Sequence, residues 1–326
     1  MKVLVTGAPG WLGDRLVEEL IKKKFEVRCL ALEGFDTSKL EGFGAEIVRG
    51  DLTRKDTLKG VCEGIDTVFH CAGIIHPKKV RDLYEINYYG TVNLIDEAIL
   101  SKVRKFVHVS SNSPAGVNKR GYILLNEKHP YDPYKAYGKS KMFAEMYVNK
   151  LFKQGKIDTT IIRPCWFYGP NQPLRQTTFF NMIKKGNPFV FGDGYNIRSM
   201  AYIDNVIQGL ILAATKEASS GQTYWIADEK PYPTIEIYET VADILGVELK
   251  PRYLPNIVSV LCEFADGILQ TFGFYNKEIH VAGEMNKDIA CSIEKAKREL
   301  GYDPKFDLRK GMENSIKWCR EQGIDI

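Results

Sequence analysis

A tyrosine and a lysine four residues apart are the side chains best suited to acid–base chemistry in this 326-residue sequence. On a helix, Tyr137 and Lys141 project from one face. A free phenol titrates near pH ~10, but a neighbouring ammonium group stabilises the phenolate, so Tyr137 could take a proton from a substrate hydroxyl. The spacing also occurs by chance, as in Tyr131 and Lys135, where Pro133 disfavours a shared helical face.

A serine pair supplies a candidate hydroxyl for the same chemistry. Ser110 and Ser111 follow an apolar run at 106–109 that has the pattern of a buried strand. The carboxyl ends of parallel strands line the ligand crevice of a doubly wound sheet, so a hydroxyl there can donate to a substrate oxygen. A serine that merely caps a turn is the alternative. Its combination with Tyr137 and Lys141 favours a catalytic role.

A glycine-rich turn near the start of the chain predicts a dinucleotide-binding loop. The apolar residues 3–5 precede a GxxGxxG pattern, and an amphipathic stretch at 12–21 follows it. Glycines let the backbone approach a pyrophosphate closely, and the N-terminus of the following helix offers free N–H groups to the phosphates. A purely structural strand-to-helix turn is the alternative. The candidate cofactor-binding residues here are Gly7, Gly10, Trp11, Leu12 and Gly13.

The choice between NAD and NADP depends on the end of the second strand, at residues 27–33. An acidic side chain there binds the ribose hydroxyl, whereas a basic one accepts a 2′-phosphate. Glu33 can reach the ribose, while Ser38 and Lys39 could hold a phosphate instead. The sequence favours NAD and leaves NADP open.

The elements that must position these residues alternate between strands and helices. Short apolar runs suit strands buried on both faces, and their alternation with helices indicates βαβ crossovers and a parallel sheet. The predicted strands are 3–5, 26–32, 45–48, 67–71, 105–110 and 159–162, and the main predicted helices are 12–21, 83–100 and 134–152.

The character of the chain changes after Pro164, where aromatic residues, glycine and proline become frequent. We therefore expect an α/β protein with a Rossmann-like, doubly wound parallel sheet and a smaller mixed α/β substrate-binding lobe. The expected domains are residues 1–165 for the dinucleotide and 166–326 for the substrate, with about 195–230 returning to the first domain.

Composition excludes several classes of protein. The net charge of +4 and the short basic clusters give no argument for nucleic acid. Seven cysteines form no CxxC pair, and five histidines show no HExxH spacing, so neither a disulfide framework nor a metal site is expected. The apolar stretch 257–274 contains Glu263 and Asp266 and is too polar for a membrane span. The N-terminus does not read as a signal peptide, and we expect a cytoplasmic protein.

Taken in order, these motifs make the sequence resemble the extended short-chain dehydrogenase/reductase family, the NAD-dependent epimerase/dehydratase group. The resemblance covers nearly the whole chain. Its matching residues are Thr6 to Gly13, Gly50-Asp51-Leu52, His70 to Gly73, Asn87 to Thr91, Val109 to Ser111, Tyr137 to Lys141 with Glu145, Arg163-Pro164, Tyr168-Gly169-Pro170, Gly192-Asp193-Gly194 with Arg198, Tyr202 to Val206, and Glu299 to Pro304.

The resemblance implies a role for each matching site residue. Ser111, Tyr137 and Lys141 would be catalytic, with Lys141 also binding the nicotinamide ribose. Arg198 and Asn112 would face the substrate, Arg198 at a position that holds the diphosphate in nucleotide-sugar enzymes; a structural salt bridge is the alternative for Arg198. The other implied cofactor contacts are Asp51 and Leu52 at the adenine, Cys71, Ala72 and Gly73 at the ribose and pyrophosphate, Asn87, and Pro164 at the nicotinamide.

Departures from the family pattern shape the expected reaction. Sugar 4,6-dehydratases carry an Asp-Glu pair after the strand-end hydroxyl, but Asn112-Ser113 follows Ser111 here, which disfavours dehydration. The apolar stretch 254–274 is similar to members that act on sterols, isoprenoids or aldehydes. The expected function is an NAD(P)-dependent epimerase or oxidoreductase acting on a secondary alcohol, foremost a nucleotide sugar.

Two alternatives stay open beside that expectation. One is a net dehydrogenase or reductase of a steroid-like, terpenoid or aldehyde substrate, similar to 3-beta-hydroxysteroid dehydrogenase. The other is a binding protein that senses a dinucleotide without turnover. The resemblance also implies a homodimer formed through the helices at 83–100 and 134–152.

Overall fold

The computed structural model describes residues 1–119 and 123–326, apart from the side chain of Arg175. The strands are β1 Lys2–Thr6, β2 Glu26–Ala31, β3 Glu46–Arg49, β4 Thr67–His70, β5 Lys105–Val109, β6 Asp158–Pro164, β7 Trp166–Tyr168, β8 Phe189–Phe191, β9 Ile197–Arg198, β10 Met200–Tyr202, β11 Gln222–Ile226, β12 Tyr232–Pro233 and β13 Arg252–Leu254. The α-helices are α1 Trp11–Lys22, α2 Ser38–Phe43, α3 Val80–Tyr84, α4 Gly90–Leu100, α5 Lys135–Lys153, α6 Leu174–Lys184, α7 Ile203–Thr215, α8 Thr234–Leu245, α9 Asn256–Thr271, α10 Lys277–Glu284, α11 Glu294–Leu300 and α12 Leu308–Glu321.

The main sheet has seven strands in the order β11-β6-β5-β4-β1-β2-β3, and every neighbouring pair is parallel. Its central strands β4 and β5 are buried along their whole length, as their continuous apolar runs require. Strand order reverses beside β1, between β4 and β2, which opens a crevice at the carboxyl ends of the strands. The predicted Rossmann-like, doubly wound α/β class is confirmed.

Helices cover both faces of this sheet. On one face, α1, α7 and α11 contribute to a continuous apolar core with β1 and β11. On the other face, α4 and α5 pack against β4 and β5 through residues such as Leu94, Ile95 and Val148. Burial of these apolar stripes fixes the helices in place, so the strand ends between the two layers form a rigid platform for the site.

The single helix expected at 83–100 is interrupted. Between α3 and α4 the chain forms a π-helical segment, Glu85–Tyr89. Asn87 in this segment is fully buried, and its side-chain amide bonds both the N–H and the carbonyl of Ile74 at 2.8 and 2.9 Å. A π turn inside a helix commonly marks a functional position, and here it fixes the loop after β4.

The second lobe consists of helices and three two-stranded ladders around their own apolar core. The ladders pair β7 with β10, β8 with β13 and β9 with β12. β11 joins the main sheet beside β6, and α7 packs on that sheet, so residues 203–226 lie with the first domain. Residues 291–302 also pack there, through Ile293, Ala296 and Leu300, which the sequence analysis did not anticipate. The domain boundaries themselves stay a prediction. No helix of the described residues is long and apolar enough to cross a bilayer.

Candidate functional site

The three candidate catalytic residues meet between β5 and α5. Ser111 follows β5 by two residues, while Tyr137 and Lys141 lie in the first two turns of α5. The Ser111 hydroxyl lies against the Tyr137 phenol and forms a hydrogen bond that favours the phenolate. The Lys141 ammonium group donates to the carbonyl of Val109, at the end of β5, at 2.8 Å. A phenol, a hydroxyl and an ammonium group therefore converge at one strand end.

Burial determines the protonation states of Tyr137 and Lys141. The pKa of Tyr137 is raised to about 12, chiefly because the phenol is desolvated; the Ser111 hydrogen bond opposes this and the Glu284 carboxylate adds to it. The expectation that Lys141, helped by an oxidised nicotinamide ring, draws the pKa of Tyr137 down concerns the site with its cofactor bound and stays a prediction. The pKa of Lys141 falls to about 8, because burial disfavours its charge. At neutral pH the phenol is protonated and the lysine is charged.

A buried ion pair anchors the helix that carries Tyr137. Arg163 of β6 donates two hydrogen bonds to Glu145 of α5, at 2.9 and 2.5 Å, and both side chains are almost fully buried. Tyr131 donates to the same carboxylate at 2.9 Å. A fork-to-carboxylate pair fixes orientation as well as distance, so α5 is held against the sheet in one register. The second Tyr-Lys spacing thus supplies a structural phenol, Tyr131, rather than an acid or base.

The glycine-rich turn closes tightly between β1 and β4. Gly7 has a φ of +82°, and a Cβ there would lie 2.7 Å from the amide nitrogen of Ala72. A Cβ on Gly10 or Gly13 would lie 2.5 or 2.4 Å from the carbonyl oxygen of Gly7. The turn therefore requires glycine at all three positions, and it leads directly into α1. The first-turn N–H groups of α1, at Trp11, Leu12 and Gly13, have no helical acceptor and can serve a pyrophosphate.

The loop after β4 joins the glycine turn to the catalytic lysine. The N–H of Ala72 donates to the Thr6 hydroxyl at 3.3 Å, next to the first glycine. A Cβ on Gly73 would lie 3.1 Å from the Asn87 amide oxygen and 3.4 Å from Lys141 Nζ. Cys71 lies half-buried at the start of this loop. Cys71, Ala72, Gly73, Asn87 and Lys141 are thus contiguous, as a ribose and pyrophosphate site needs.

The part of the cofactor site expected to bind the adenine is polar and partly exposed. Glu33 is exposed beyond the end of β2. Asp36 accepts both the N–H and the hydroxyl of Ser38, at 2.9 and 2.6 Å, so this serine, one of the two candidate phosphate partners, is already bonded to an acid. Asp51 accepts from the N–H and hydroxyl of Thr53 at 2.8 Å each. Leu52 beside it is half-buried.

Trp11 and Pro164 lie on the side of the site that faces the second lobe. The Trp11 indole N–H donates to the carbonyl of Pro170 at 2.7 Å, and its ring packs on Phe167 at 5.8 Å between centroids. Pro164 ends β6 and is buried. Asn112 accepts from the Ser111 hydroxyl at 3.2 Å. The Trp11 contacts tie the cofactor turn to Phe167 and Pro170 of the substrate lobe.

Arg198 lies beneath the substrate lobe with most of its surface covered. One terminal nitrogen donates to the backbone carbonyl of Glu284 at 2.6 Å. Its Nε is buried and has no hydrogen-bond partner among the described residues. Burial lowers the pKa of the guanidinium, while the carboxylates of Glu284 and Asp288 raise it. The Arg198 guanidinium is therefore bonded at one terminal nitrogen but still has an unpaired Nε among the described residues, so it matches neither a complete structural salt bridge nor a fully free diphosphate-binding group.

Sequence reasoning missed a polar cluster that α9 and α10 bring close to Tyr137. His280 Nδ1 lies 2.8 Å from a carboxylate oxygen of Asp266, and His280 Nε2 lies 3.8 Å from Glu284. The Tyr275 hydroxyl, which pairs with His76 at 2.8 Å, lies close enough to Tyr137 for the two phenols to affect each other. No sequence spacing joins these residues to Tyr137; only the i, i+4 step from His280 to Glu284 could have drawn notice.

Burial and the nearby carboxylates of Asp266 and Glu263 raise the pKa of the Glu284 carboxyl group, while His280 and Arg198 oppose this. Within the described residues, no group of histidine, cysteine, aspartate or glutamate side chains could hold a metal ion. The chemistry available at the site is therefore proton transfer by a phenol, supported by a hydroxyl and an ammonium group.

Comparison with known proteins defines the class. Residues 4–256 match the sequence model of the 3-beta hydroxysteroid dehydrogenase/isomerase family. The fold, the glycine turn and the Ser-Tyr-Lys group are those of an extended short-chain dehydrogenase/reductase, an oxidoreductase-type enzyme. Within that class, this chain belongs to the 3-beta hydroxysteroid dehydrogenase/isomerase family.

Three relatives show the range of similarity. The uncharacterized protein y4nL of Sinorhizobium fredii is 43% identical, covering 98% of this chain and 96% of that protein. Human sterol-4-alpha-carboxylate 3-dehydrogenase, decarboxylating, is 28% identical over 97% of this chain and 87% of its own length. The solved UDP-glucuronic acid 4-epimerase of Bacillus cereus, in complex with NAD, has a TM-score of 0.79 at 24% identity and covers all of both chains; it shows the fold alone.

Proposed function

We propose that this protein interconverts a secondary alcohol and its ketone on an apolar, steroid-like or terpenoid substrate, using a nicotinamide dinucleotide. The observation that carries the proposal is the convergence of Ser111, Tyr137 and Lys141 at one strand end, facing a substrate side lined by Glu284. The catalytic group suits any secondary alcohol. The carboxyl group of Glu284 on the substrate side is what distinguishes between the candidate substrates.

The residues around the glycine turn fit a dinucleotide. Gly7, Gly10 and Gly13 leave no room for side chains where the turn meets α1, and Lys141 presents a buried ammonium group with one hydrogen bond in the described structure. Two further N–H bonds of that ammonium can serve ribose hydroxyls. NAD bound there supplies the two-electron acceptor or donor for the reaction. Asp36, which already binds Ser38, favours NAD over a 2′-phosphorylated cofactor.

The protein's own groups manage the proton. Because the pKa of Tyr137 is raised to about 12, the phenol holds its proton at neutral pH and can donate it to a ketone oxygen. The Ser111 hydroxyl, turned away from Asn112, can donate a second hydrogen bond to that oxygen, and Lys141 keeps a positive charge nearby. In the reverse direction the same phenol must first release its proton.

The substrate side supports an apolar molecule over a nucleotide diphosphate. Glu284 lies close to Arg198 and would repel a diphosphate there, and one guanidinium nitrogen already serves the Glu284 carbonyl. Membership of the family agrees, and the human relative is named for action on a sterol carboxylate. A hydroxyl or carboxyl group on an otherwise apolar substrate would suit the polar cluster of Glu284 and His280.

A nucleotide-sugar epimerase is the second candidate. The buried Nε of Arg198 has no partner among the described residues, and a phosphate oxygen could satisfy it. An epimerase would retain its dinucleotide through turnover, whereas a net reductase releases it. A dinucleotide-sensing protein without turnover would have no use for the Tyr137 phenol.

One experiment separates the three. The purified protein is denatured, any released dinucleotide is identified, and turnover is then followed by NAD(P)H absorbance with hydroxysteroids, ketosteroids and terpenoid ketones, and by product analysis with UDP-sugars. Reversible NAD(H) binding with turnover of a ketosteroid supports the proposal. Tightly retained NAD with UDP-sugar turnover would replace it with the epimerase. If the protein binds the cofactor without turnover of any substrate, and Tyr137→Phe binds it equally well, only the dinucleotide-sensing protein would remain.

We also propose that the chain forms a homodimer through α3, α4 and α5. Aromatic side chains gather on this surface: Tyr88 and Tyr89 pack at 4.8 Å between centroids, and Tyr84 and Tyr88 both contact Phe143. Tyr89 and Met146 are half or more exposed there. A Phe143→Ser variant that lowers the mass measured by light scattering from dimer to monomer would support the interface; a monomeric wild type would remove it. The cytoplasmic location remains part of the proposal.

A further inference from the structure

His70 lies beside the glycine turn, at the carboxyl end of β4. In the parallel register of the sheet it is aligned with Thr6 of β1 on one side and with His108 of β5 on the other. All three residues are buried, and the glycine turn begins directly after Thr6. Because a buried polar group away from water needs a partner, the hydrogen bonds of this imidazole decide what it holds in place.

Both ring nitrogens of His70 have a partner. Nδ1 lies 2.8 Å from the Thr6 hydroxyl, and Nε2 lies 2.8 Å from the hydroxyl of Thr91, in the first turn of α4. The Thr91 hydroxyl donates to the backbone carbonyl of Asn87 in the π-helical segment at 2.7 Å. At the other end, the N–H of Ala72 donates to the Thr6 hydroxyl oxygen at 3.3 Å. A continuous row of hydrogen bonds therefore joins the cofactor loop and the glycine turn to the start of α4.

The chemistry of these groups fixes the proton on the His70 ring. The carbonyl of Asn87 can only accept, so the single proton of the Thr91 hydroxyl is committed to it, and Thr91 must accept from His70 Nε2. Burial and the charge of Lys141 lower the pKa of His70 to about 3, so the ring is neutral at ordinary pH and carries one proton. That proton lies on Nε2.

The opposite end of the ring orients the groups beside the glycine turn. His70 Nδ1 has no proton and accepts from the Thr6 hydroxyl, whose oxygen is then left to accept the N–H of Ala72. We propose that His70, as the Nε2–H tautomer, is a positioning residue for the dinucleotide: through Thr6 and Ala72 it holds the glycine turn and the loop 71–73 in the arrangement that receives the ribose and pyrophosphate. This inference rests on the dinucleotide site proposed above and on no choice of substrate.

His108 provides a matched comparison within the same sheet. Its ring lies 5.4 Å from that of His70 between centroids, both side chains are fully buried, and the charge of Lys141 lowers the pKa of both rings. Neither ring nitrogen of His108 has a hydrogen-bond partner among the described residues. The two imidazoles share their surroundings and differ in their bonds, so replacing each in turn separates the effect of the bonds from that of a buried ring.

Removing His70 should weaken cofactor binding through these bonds. Without the ring, the Thr6 hydroxyl loses its acceptor and the glycine turn can adopt other arrangements, so the apparent affinity falls with the fraction of protein that stays competent. In His70→Leu we expect the Kd of NADH, measured by fluorescence titration, to rise about tenfold. His108→Leu should bind as the wild type does. Thr91→Val removes the acceptor of Nε2–H and should weaken binding too, with no further loss in His70→Leu/Thr91→Val.

Two further measurements separate this role from a general loss of structure. In heteronuclear NMR spectra of the wild-type protein with isotope-labelled histidine, the His70 signals are those that disappear in His70→Gln. They should show a proton on Nε2 and none on Nδ1, unchanged between pH 5 and pH 8. His70→Gln, whose amide retains one donor and one acceptor, should bind NADH more tightly than His70→Leu does.

A His70 ring protonated on Nδ1, or one that titrates between pH 5 and pH 8, would overturn the proposal. So would wild-type affinity for NADH in His70→Leu, or an equal loss of affinity in His108→Leu. Wild-type protein that binds no dinucleotide would refute the proposed cofactor site and the role of His70 with it. That failure is seen in the wild type alone, whereas an error about His70 leaves the wild type binding NADH.

Discussion

The side-chain carbonyl of Gln270 accepts the backbone N–H of Ala136 at 3.0 Å, one residue before Tyr137. The same side chain donates to both carboxylate oxygens of Asp266, at 2.9 Å each. Asp266 in turn holds His280. The substrate lobe thus bonds one backbone N–H in the first turn of α5, the helix that supplies both the phenol and the ammonium group. The placement of Tyr137 therefore depends on Gln270, a residue more than 130 positions later in the chain.

Replacing this acceptor should reduce turnover without weakening cofactor binding. In Gln270→Leu, the N–H of Ala136 loses its partner, and an unsatisfied amide costs about 1–3 kcal/mol. We expect kcat to fall by about tenfold as the first turn of α5 loosens. The measurement is steady-state kinetics with a fluorescence titration of NADH. Thr271→Val, a neighbour on α9 whose hydroxyl bonds only its own helix, should retain kcat. An equal loss in both variants would point to a general effect on α9.

Removing the Tyr137 hydroxyl should abolish turnover selectively. Tyr137→Phe keeps the ring but loses the proton donor, and we expect kcat to fall by about 10²–10⁴-fold. Dissociation of NADH, measured by fluorescence, should change little. The matched control is Tyr131→Phe, whose hydroxyl bonds Glu145 in the α5 anchor. Wild-type turnover by Tyr137→Phe would disprove the assigned role.

Cofactor affinity should fall as the pH rises through about 8. Burial lowers the pKa of Lys141 to about 8, so its ammonium charge is present below that value and is lost above it. Titrations of NADH binding from pH 6 to pH 10 should show the weakening, and Lys141→Met should show weak binding that does not depend on pH in this window. Lys139→Met, exposed on the same helix, serves as the control. A wild-type curve that stays flat would contradict the role of Lys141.

Stability should decline as the pH rises from about 4 to about 6, because of Asp228. This buried carboxyl accepts from the Tyr168 hydroxyl, the Tyr202 N–H and the Asn205 amide at 2.6–2.9 Å, yet desolvation raises its pKa to about 6. The folded state then binds more protons than the unfolded state between the unfolded value, 3.8, and 6, so the free energy of unfolding falls across that window. A shift of about two pKa units corresponds to about 3 kcal/mol.

The variant Asp228→Asn should remove this pH dependence. Its amide oxygen can still accept from Tyr202 and Asn205, and the Tyr168 hydroxyl can donate to its second acceptor, the Asp307 carbonyl at 3.0 Å. Urea unfolding of both proteins at pH 4.5 and pH 7 measures the difference. Identical pH profiles for the two proteins would show that another group is responsible.

The local sequence was sufficient to predict the parallel sheet, the glycine turn and the pairing of Tyr137 with Lys141, whereas the choice of Ser111 over Ser110 came from the family resemblance. Each of these depends on interactions between near neighbours: buried strands need continuous apolar runs, a tight turn needs Gly7, Gly10 and Gly13, and Tyr137 and Lys141 are joined by one turn of helix. The π segment at 85–89 was not predicted, because its Asn87 finds its partner in the backbone of Ile74.

The tertiary structure alone decided the electrostatics and the substrate side. In the structure, burial and the Glu284 carboxylate raise the pKa of Tyr137, and Glu284 lies on α10, far from Tyr137 in the sequence. Packing of α10 likewise gives one terminal nitrogen of Arg198 a hydrogen-bond acceptor, the carbonyl of Glu284. The outward apolar face of α9 was visible in the sequence only as an apolar stretch interrupted by Glu263 and Asp266. The sequence determines which residues a helix carries, whereas the packing of distant elements determines which of its faces meets the core and which charges meet the site.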